Sequence, residues 1–360
     1  MADSGARDLA SGLPAPVSEL SIRVEPYAEC STRVLEFRNQ NRGTSLSARY
    51  VDWRYRGRPC QESALVVWVN HADGRTLGSA GLIPHDFHVL DAVRPIGVVG
   101  DISVVAEARG MGIASRMLTF LAEDARVRAL GGTFVLPNAG ATGPLLAAGW
   151  VNAATIRRRM RPLGVASAGG GGRGALRALV HRALRFAARP APLPPGSTCR
   201  IQKQQLRFDD RFDALWSRLP KTGRVIAVRN AAYLAWRFAD HPLMKFDLVE
   251  VDTAGQLSGY AVLSRHGTTV AVDDFVAIDS TAAKAVASAA LAHAYSQQEV
   301  TGVQSRHCEP TWMPAGWSLK RGFVARPDES RALWRATGAD PSGAMADPAN
   351  WLVTPGDKDV

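Results

Sequence analysis

The run Asp101-Ile-Ser-Val-Val-Ala-Glu-Ala-Arg109-Gly110-Met111-Gly112-Ile113-Ala114-Ser115-Arg116-Met117-Leu118 carries the sharpest chemical signal in this chain. A β-rich stretch meets a glycine-bearing turn, and Ile113, Met117, Phe120 and Leu121 follow at helical spacing. Strand, turn and helix start together make an anion site, because the first helical N–H groups lack partners and the dipole is positive there. Gly110, Gly112 and Ala114 are small enough to let a phosphate reach the backbone. A dinucleotide fold would want a third glycine and a later acid, but Ser115 and then Gly131-Gly132-Thr133 stand there. A P-loop would want Gly-Lys-Ser/Thr, which is missing. His307-Cys308-Glu309 are consecutive, so on a strand they alternate between faces and cannot form one relay. Cys30, Cys60, Cys199 and Cys308 form no C-x-x-C pair. They read as free thiols of a reducing, cytoplasmic compartment, and no metal site is expected.

The spacing Arg109-x-x-Gly112-x-Ala114 fits Arg/Gln-x-x-Gly-x-Gly/Ala, and Thr133-Phe-Val-Leu-Pro-Asn138 precedes Leu145-Leu-Ala-Ala-Gly149-Trp150. On these residues the chain resembles the GNAT acyltransferase superfamily, over roughly residues 20 to 160. The resemblance implies acetyl-CoA as co-substrate. Its binding set would be Ile102, Ser103, Val104, Val105, Arg109, Gly110, Met111, Gly112, Ile113, Ala114, Ser115 and Asn138. The pyrophosphate would sit on the turn and the pantetheine beside Ile102 to Val104. A backbone N–H of Val104 or Val105 would polarise the acyl carbonyl. An amine would attack directly, so positioning matters more than a covalent nucleophile. Asp101, on the strand where the family often places a carboxylate, is the first candidate base; His85 and His88 are the alternatives. Glu107 reads as a solvated carboxylate. The family commonly has a Tyr seven residues after the Asn; Leu145 stands there and cannot protonate a departing thiolate.

These residues need elements to position them, and the chain supplies two related sets. Tyr50-Val-Asp-Trp53-Arg54-Tyr55 with Pro59 matches Tyr233-Leu-Ala-Trp236-Arg237-Phe238 with Pro242 at a constant offset of 183. Paired strand segments follow in each half, Asp101-Ile-Ser-Val matches Asp274-Phe-Val-Ala, and Gly149-Trp150 matches Gly322-Phe323. This pattern predicts an α/β protein of two tandem GNAT-like domains, each a mixed twisted sheet flanked by helices. The second is degenerate: Ile278-Asp-Ser-Thr leads into an alanine-rich helix with no glycine turn. The expected organisation is a flexible 1–18, an acyl-CoA-binding domain 19–163, a linker 164–197, a degenerate domain 198–336 and a tail 337–360. Trp53-Arg54 and Trp236-Arg237 read as buried Trp with Arg at the rim.

The 360 residues carry a net charge of +10, and residues 151–200 alone hold ten Arg with no Lys, Asp or Glu. The excess therefore belongs to one stretch, and no nucleic-acid partner is expected. Within that stretch Leu176, Leu179, Val180 and Ala183 form an apolar stripe flanked by Arg177, Arg182, Arg185 and Arg189. The expected role is a connector whose stripe docks on a domain; weak contact of 173–189 with an anionic membrane surface is the competing reading. The longest apolar run, Ala64–Val69, is far below the roughly 18 residues of a membrane span. The first twenty residues show no signal-peptide pattern.

The function expected is N-acetyltransfer from acyl-CoA to an amine of a small molecule. The Tyr-x-x-Trp-Arg segment and the tail Asn350-Trp351-Leu-Val-Thr-Pro-Gly356-Asp357 are similar to bacterial two-domain acyltransferases of cell-surface polysaccharide formation, which implies an amino sugar. Aminoacyl, peptidyl or mycothiol-type transfer on the same doubled fold is a second class. A non-catalytic acyl-CoA sensor or scaffold is a third.

Overall fold

The computed structural model describes residues 20–124, 127, 129–165, 172–308, 322–337, 345 and 347–357. The predicted flexible start 1–18, Gly169–Gly171 of the glycine run and Glu309 lie outside the described residues, as does much of the tail.

The first half runs β1 (Leu20–Pro26), α1 (Tyr27–Arg42), α2 (Ala48–Tyr55), β2 (Leu65–His71), β3 (Thr76–Leu90) and β4 (Ala92–Val104). It continues with α3 (Ile113–Glu123), β5 (Thr133–Val135), α4 (Ala139–Ala147) and β6 (Val151–Pro162). Helix α5 (Gly172–Ala187) leads to β7 (Ser197–Lys203), α6 (Asp210–Arg218), β8 (Arg224–Ala227) and α7 (Ala231–Leu234), which widens into a π turn over Ala235–Ala239. The chain then forms β9 (Phe246–Thr253), β10 (Gln256–His266), β11 (Thr269–Ala277), α8 (Ser280–Ser296), β12 (Gly302–His307), β13 (Val324–Arg335) and β14 (Trp351–Leu352). Local chemistry starts the equivalent helices alike. The side chain of Ser47 accepts from Tyr50 N–H at the start of α2, and Asn230 from Tyr233 N–H at the start of α7. The two caps are 183 residues apart, the period of the motif they introduce.

The strands form one mixed, open sheet in the order β1-β2-β3-β4-β5-β13-β6-β12-β11-β10-β9-β7, flanked by helices. Reading inward from either edge, the pattern is the same, and its centre is the antiparallel β6–β13 pair. Each half lends its last long strand to the other: β13 lies between β5 and β6, and β6 between β12 and β13. Neither half closes its own sheet.

The repeated Tyr-x-x-Trp-Arg segments meet across the same pseudo-twofold. Trp53 Nε1 donates to the carbonyl of Trp236 and Trp236 Nε1 to that of Trp53, each at 2.8 Å. Their rings stack with centroids 5.3 Å apart. Both Trp and both Arg are buried, so the motif is the joint between the repeats. A stacked pair of this kind contributes about 0.5–1.5 kcal/mol beyond its buried area.

Helix α5 overturns one expectation. It docks on the second half, but through its polar side: Arg185 donates to the carbonyls of Tyr295 and Val300, and His181 contacts the Val165 backbone. Leu176, Leu179, Val180 and Phe186 stay exposed, and so does Ala183. The apolar stripe therefore faces outward, because the partner surface offers carbonyl oxygens at its helix and strand ends. The side chain of Arg177 lies outside the described residues.

Candidate functional site

Beyond β4 the chain makes a short 3-10 turn, then passes Gly110 at φ 81° and Gly112 at φ 73° into α3. Both are left-handed conformations that disfavour a side chain. A Cβ at either position would meet nothing within 4 Å, so the space above the turn is open. Gly112 is the N-cap of α3 and brings no side-chain acceptor to the helix start. Burial of Ile113, Met117, Leu118 and Leu121 holds α3 against the sheet and fixes the direction of those N–H groups. The result is an uncapped, exposed cradle of backbone N–H groups, a geometry that favours an anion.

The strand leading to it is opened on one side. Parallel pairing of β4 with β5 is confined to Gly97–Thr133 and Val98–Phe134, so Val99 to Val104 splay away from β5. Of the two amides expected to polarise a carbonyl, that of Val105 donates to the Leu77 carbonyl at 2.9 Å. In an antiparallel ladder this turns the N–H of its neighbour Val104, paired with Gly78, away from β3 and toward the splay. Ile102 shares that orientation, and its carbonyl accepts from Arg42 Nη2 at 3.1 Å. The Arg109 side chain is exposed, with Nε donating to the Val104 carbonyl at 3.3 Å. Met111 packs on the core, and Ser115 Oγ donates to the Pro144 carbonyl at 3.5 Å. Ser103 is partly exposed on β4, and Ala114 lies in the first turn of α3. Asn138 is exposed and caps α4, its Oδ1 accepting from Ala141 N–H at 2.9 Å. Leu145 is fully buried. Glu107 lines a cleft of about 370 Å³ between α1 and the start of β3.

The three candidate bases are not gathered into one group. Asp101 stands at a bulge with φ 54°. Its carboxylate pairs with Arg38, with Arg54 at 2.9 Å and with Arg42 at 3.9 Å, and accepts from Tyr55 Oη at 3.0 Å. Burial raises the Tyr55 phenol well above its ordinary range, with the Asp101 charge adding to it. His85 lies four residues past Gly81 on β3, about 13 Å along the strand from the Asp101 bulge. Its ring contacts Trp236 and Tyr233 of the other half. Burial holds its pKa well below the ordinary value, and Arg58, Arg237, Arg229 and Arg54 push the same way. His88, three positions further, points to the opposite sheet face. Burial and then Lys221 lower its pKa too.

The second half keeps the splay and loses the cradle. β11 pairs with β12 only from Thr269 to Val272, and the Ile278 N–H donates to the Ser258 carbonyl as Val105 does to Leu77. At the start of α8, however, Asp279 Oδ1 accepts from the N–H groups of Thr281 and Ala282, both at 2.8 Å. A carboxylate of the chain itself occupies the place an anion would take. Asp274, the counterpart of Asp101, is likewise held by Arg229 at 3.1 Å, Tyr260 Oη at 2.9 Å and Thr354 Oγ1 at 2.8 Å. The tail is tied to the same cluster through Asp357 and Arg229 at 2.7 Å. Sequence reasoning missed Arg38, Arg54 and Tyr55 as partners of Asp101, although two of them lie in the repeated motif. It also missed Asp279, whose Asp-Ser-Thr pattern before a helix was a readable cap signal. Among the described residues no cluster of three His, Cys, Asp or Glu could hold a metal ion. No helix among them is long and apolar enough to cross a membrane.

Residues 24–137 match the family model of the acetyltransferase (GNAT) domain. Among solved structures the chain is similar to a GCN5-related N-acetyltransferase from Anabaena variabilis, with TM-score 0.62 and 12% identity over 88% of this chain and 73% of that one. A probable N-acyltransferase from Enterococcus faecalis gives TM-score 0.61 at 11% identity, over 88% and 73% of the two chains. Eis1 from Mycobacterium abscessus gives 0.54 at 17% identity, over 91% and 75%. At these identities the likeness speaks for the fold. No curated protein shows significant sequence similarity to the chain.

Proposed function

We propose, from the match of residues 24–137 to the acetyltransferase (GNAT) domain model, that this chain moves an acetyl or short acyl group from acyl-CoA to a small-molecule amine. The observation that carries this reading is the uncapped helix start at Gly112, open to solvent beside the splayed end of β4. The Arg109–Ser115 turn would hold the pyrophosphate with backbone N–H groups, and Arg109 adds a nearby positive charge. Bound acyl-CoA supplies a thioester that an amine can attack. The Val104 N–H, turned toward the splay, is the donor we assign to the developing oxyanion. Asp101 receives a positioning role: its carboxylate fixes Arg38, Arg54 and Tyr55 where α1 and α2 face β4. The amine's proton leaves through water. An amino sugar is the first acceptor class to test.

The deciding experiment is a panel of amines, amino sugars included, with acetyl-CoA, read by thiol release and product mass. Turnover on one amine class above the hydrolysis background supports transfer. Tight acetyl-CoA binding without transfer to any amine would favour a sensor or scaffold, a reading supported by the buried Leu145 where the family commonly has a Tyr.

A further inference from the structure

Helix α5 is attached to the protein by the wrong side for a structural connector. On a helical wheel His181, Arg185 and Ala188 share one face. Each of them is tied down: His181 to the Val165 backbone, Arg185 to two carbonyls and the Tyr295 ring, and Ala188 by burial and by its carbonyl accepting from Arg161 Nη2 at 2.9 Å. The opposite face carries Leu176, Leu179, Val180 and Phe186, which are 64%, 66%, 41% and 76% exposed. Arg182 and Arg189, also exposed, border this stripe. Four large apolar side chains on one face, bordered along one edge by cations, form a surface that water alone does not stabilise.

We propose that α5 is a membrane-surface element that lays its outer face on an anionic lipid bilayer. Charge selects this occupant. Arg182 and Arg189 are exposed beside the outer face and the segment 164–197 contains no acidic residue, so this face suits a sheet of phosphate groups. A second copy of this chain, packed about a twofold on the same stripe, would oppose Arg182 and Arg189 to their own copies. The inward contacts of His181, Arg185 and Ala188 hold the C-terminal half of the 16-residue helix with its stripe outward, as an interfacial helix requires if its leucines and phenylalanine are to enter the headgroup boundary.

Flotation of the full chain with vesicles of 70% phosphatidylcholine and 30% phosphatidylglycerol tests this, with pure phosphatidylcholine vesicles as the comparison. Binding is expected to the anionic vesicles at low salt and to fall steeply by 0.5 M NaCl. Phe186→Ser with Leu179→Ser should weaken it by about tenfold or more. Arg182→Glu should weaken it by about fivefold or more, since it removes one attractive charge and adds a repelling one. These side chains are exposed, so melting temperature and acetyl-CoA binding should stay unchanged in both variants. No flotation with anionic vesicles, or flotation indifferent to these substitutions, overturns the proposal. A concentration-dependent dimer that Phe186→Ser dissolves, without vesicle binding, overturns it in favour of a self-interface. None of these outcomes depends on the acyl acceptor.

Discussion

Replacing Asp101 by Asn is expected to cost stability before it costs chemistry. The substitution keeps the side chain's shape and one oxygen for Tyr55 Oη, now 3.0 Å away, but removes the charge. That carboxylate is 7% exposed, and the guanidinium groups facing it are 4% exposed for Arg54 and 11% for Arg38. Removing one partner of a buried ion pair costs about 3–5 kcal/mol. Arg42 is more exposed and more distant, so roughly 3 kcal/mol, the low end of that range, applies. Because β6 and β13 tie the halves into one sheet, a single transition is expected. An unfolding entropy of about 2.1 cal/mol/K per residue then turns 3 kcal/mol into a melting temperature lower by about 4 °C. Differential scanning calorimetry reads this, alongside acetyl-CoA titration and turnover at 20 °C. Acetyl-CoA affinity should be largely kept, since the cradle rests on Ile113 and Met117. A hundredfold loss of kcat with an unchanged melting temperature would refute the positioning role and make Asp101 the base.

Gly112→Val puts a β-branched residue at φ 73° and its methyl groups into the open cradle; acetyl-CoA affinity measured by calorimetry should drop sharply, with about 1–2 kcal/mol of stability lost to backbone strain. Asp279→Ala uncaps α8 and should cost about 1 kcal/mol. Its acetyl-CoA stoichiometry should stay at one per chain, because no glycine turn opens that helix start; a wild-type ratio of two would show the asymmetry to be mistaken. His241 has its pKa lowered to about 4 by burial and by Arg237, and His307 to about 4 by burial and by Arg159. A depressed histidine makes the unfolded chain the better proton acceptor, so stability is full above about pH 6.5 and falls as pH drops through 4. Melting curves across that window should show the decline, and His241→Gln should flatten it.

The cradle was legible because its determinants are local. Two glycines at left-handed φ, a strand before them and an amphipathic helix after them lie within one short stretch and can be read together. The duplication was legible for the same reason, since Ser47 and Asn230 start equivalent helices and the Trp-Arg motifs recur at one offset. Even the loss of the second cradle was written locally, in the missing glycine and in Asp279.

Other properties depended on partners far away in the chain. A strand's hydrogen bonds say nothing in sequence about whose strand will accept them, so the exchange of β6 and β13 is visible only in the tertiary structure. Asp101 is one carboxylate in sequence; Arg38, Arg54 and Tyr55, brought by α1 and α2, change it from a free base candidate into the centre of an ion cluster. The Trp53 and Trp236 indoles find each other's carbonyls across 183 residues because the pseudo-twofold superposes them. Helix α5 shows the limit most plainly. Its periodicity correctly separated an apolar stripe from a basic one, yet carbonyl oxygens at Tyr295 and Val300 captured Arg185 and turned the leucines outward. Amphipathicity sorts side chains into faces, and the surface that the helix meets decides which face is buried.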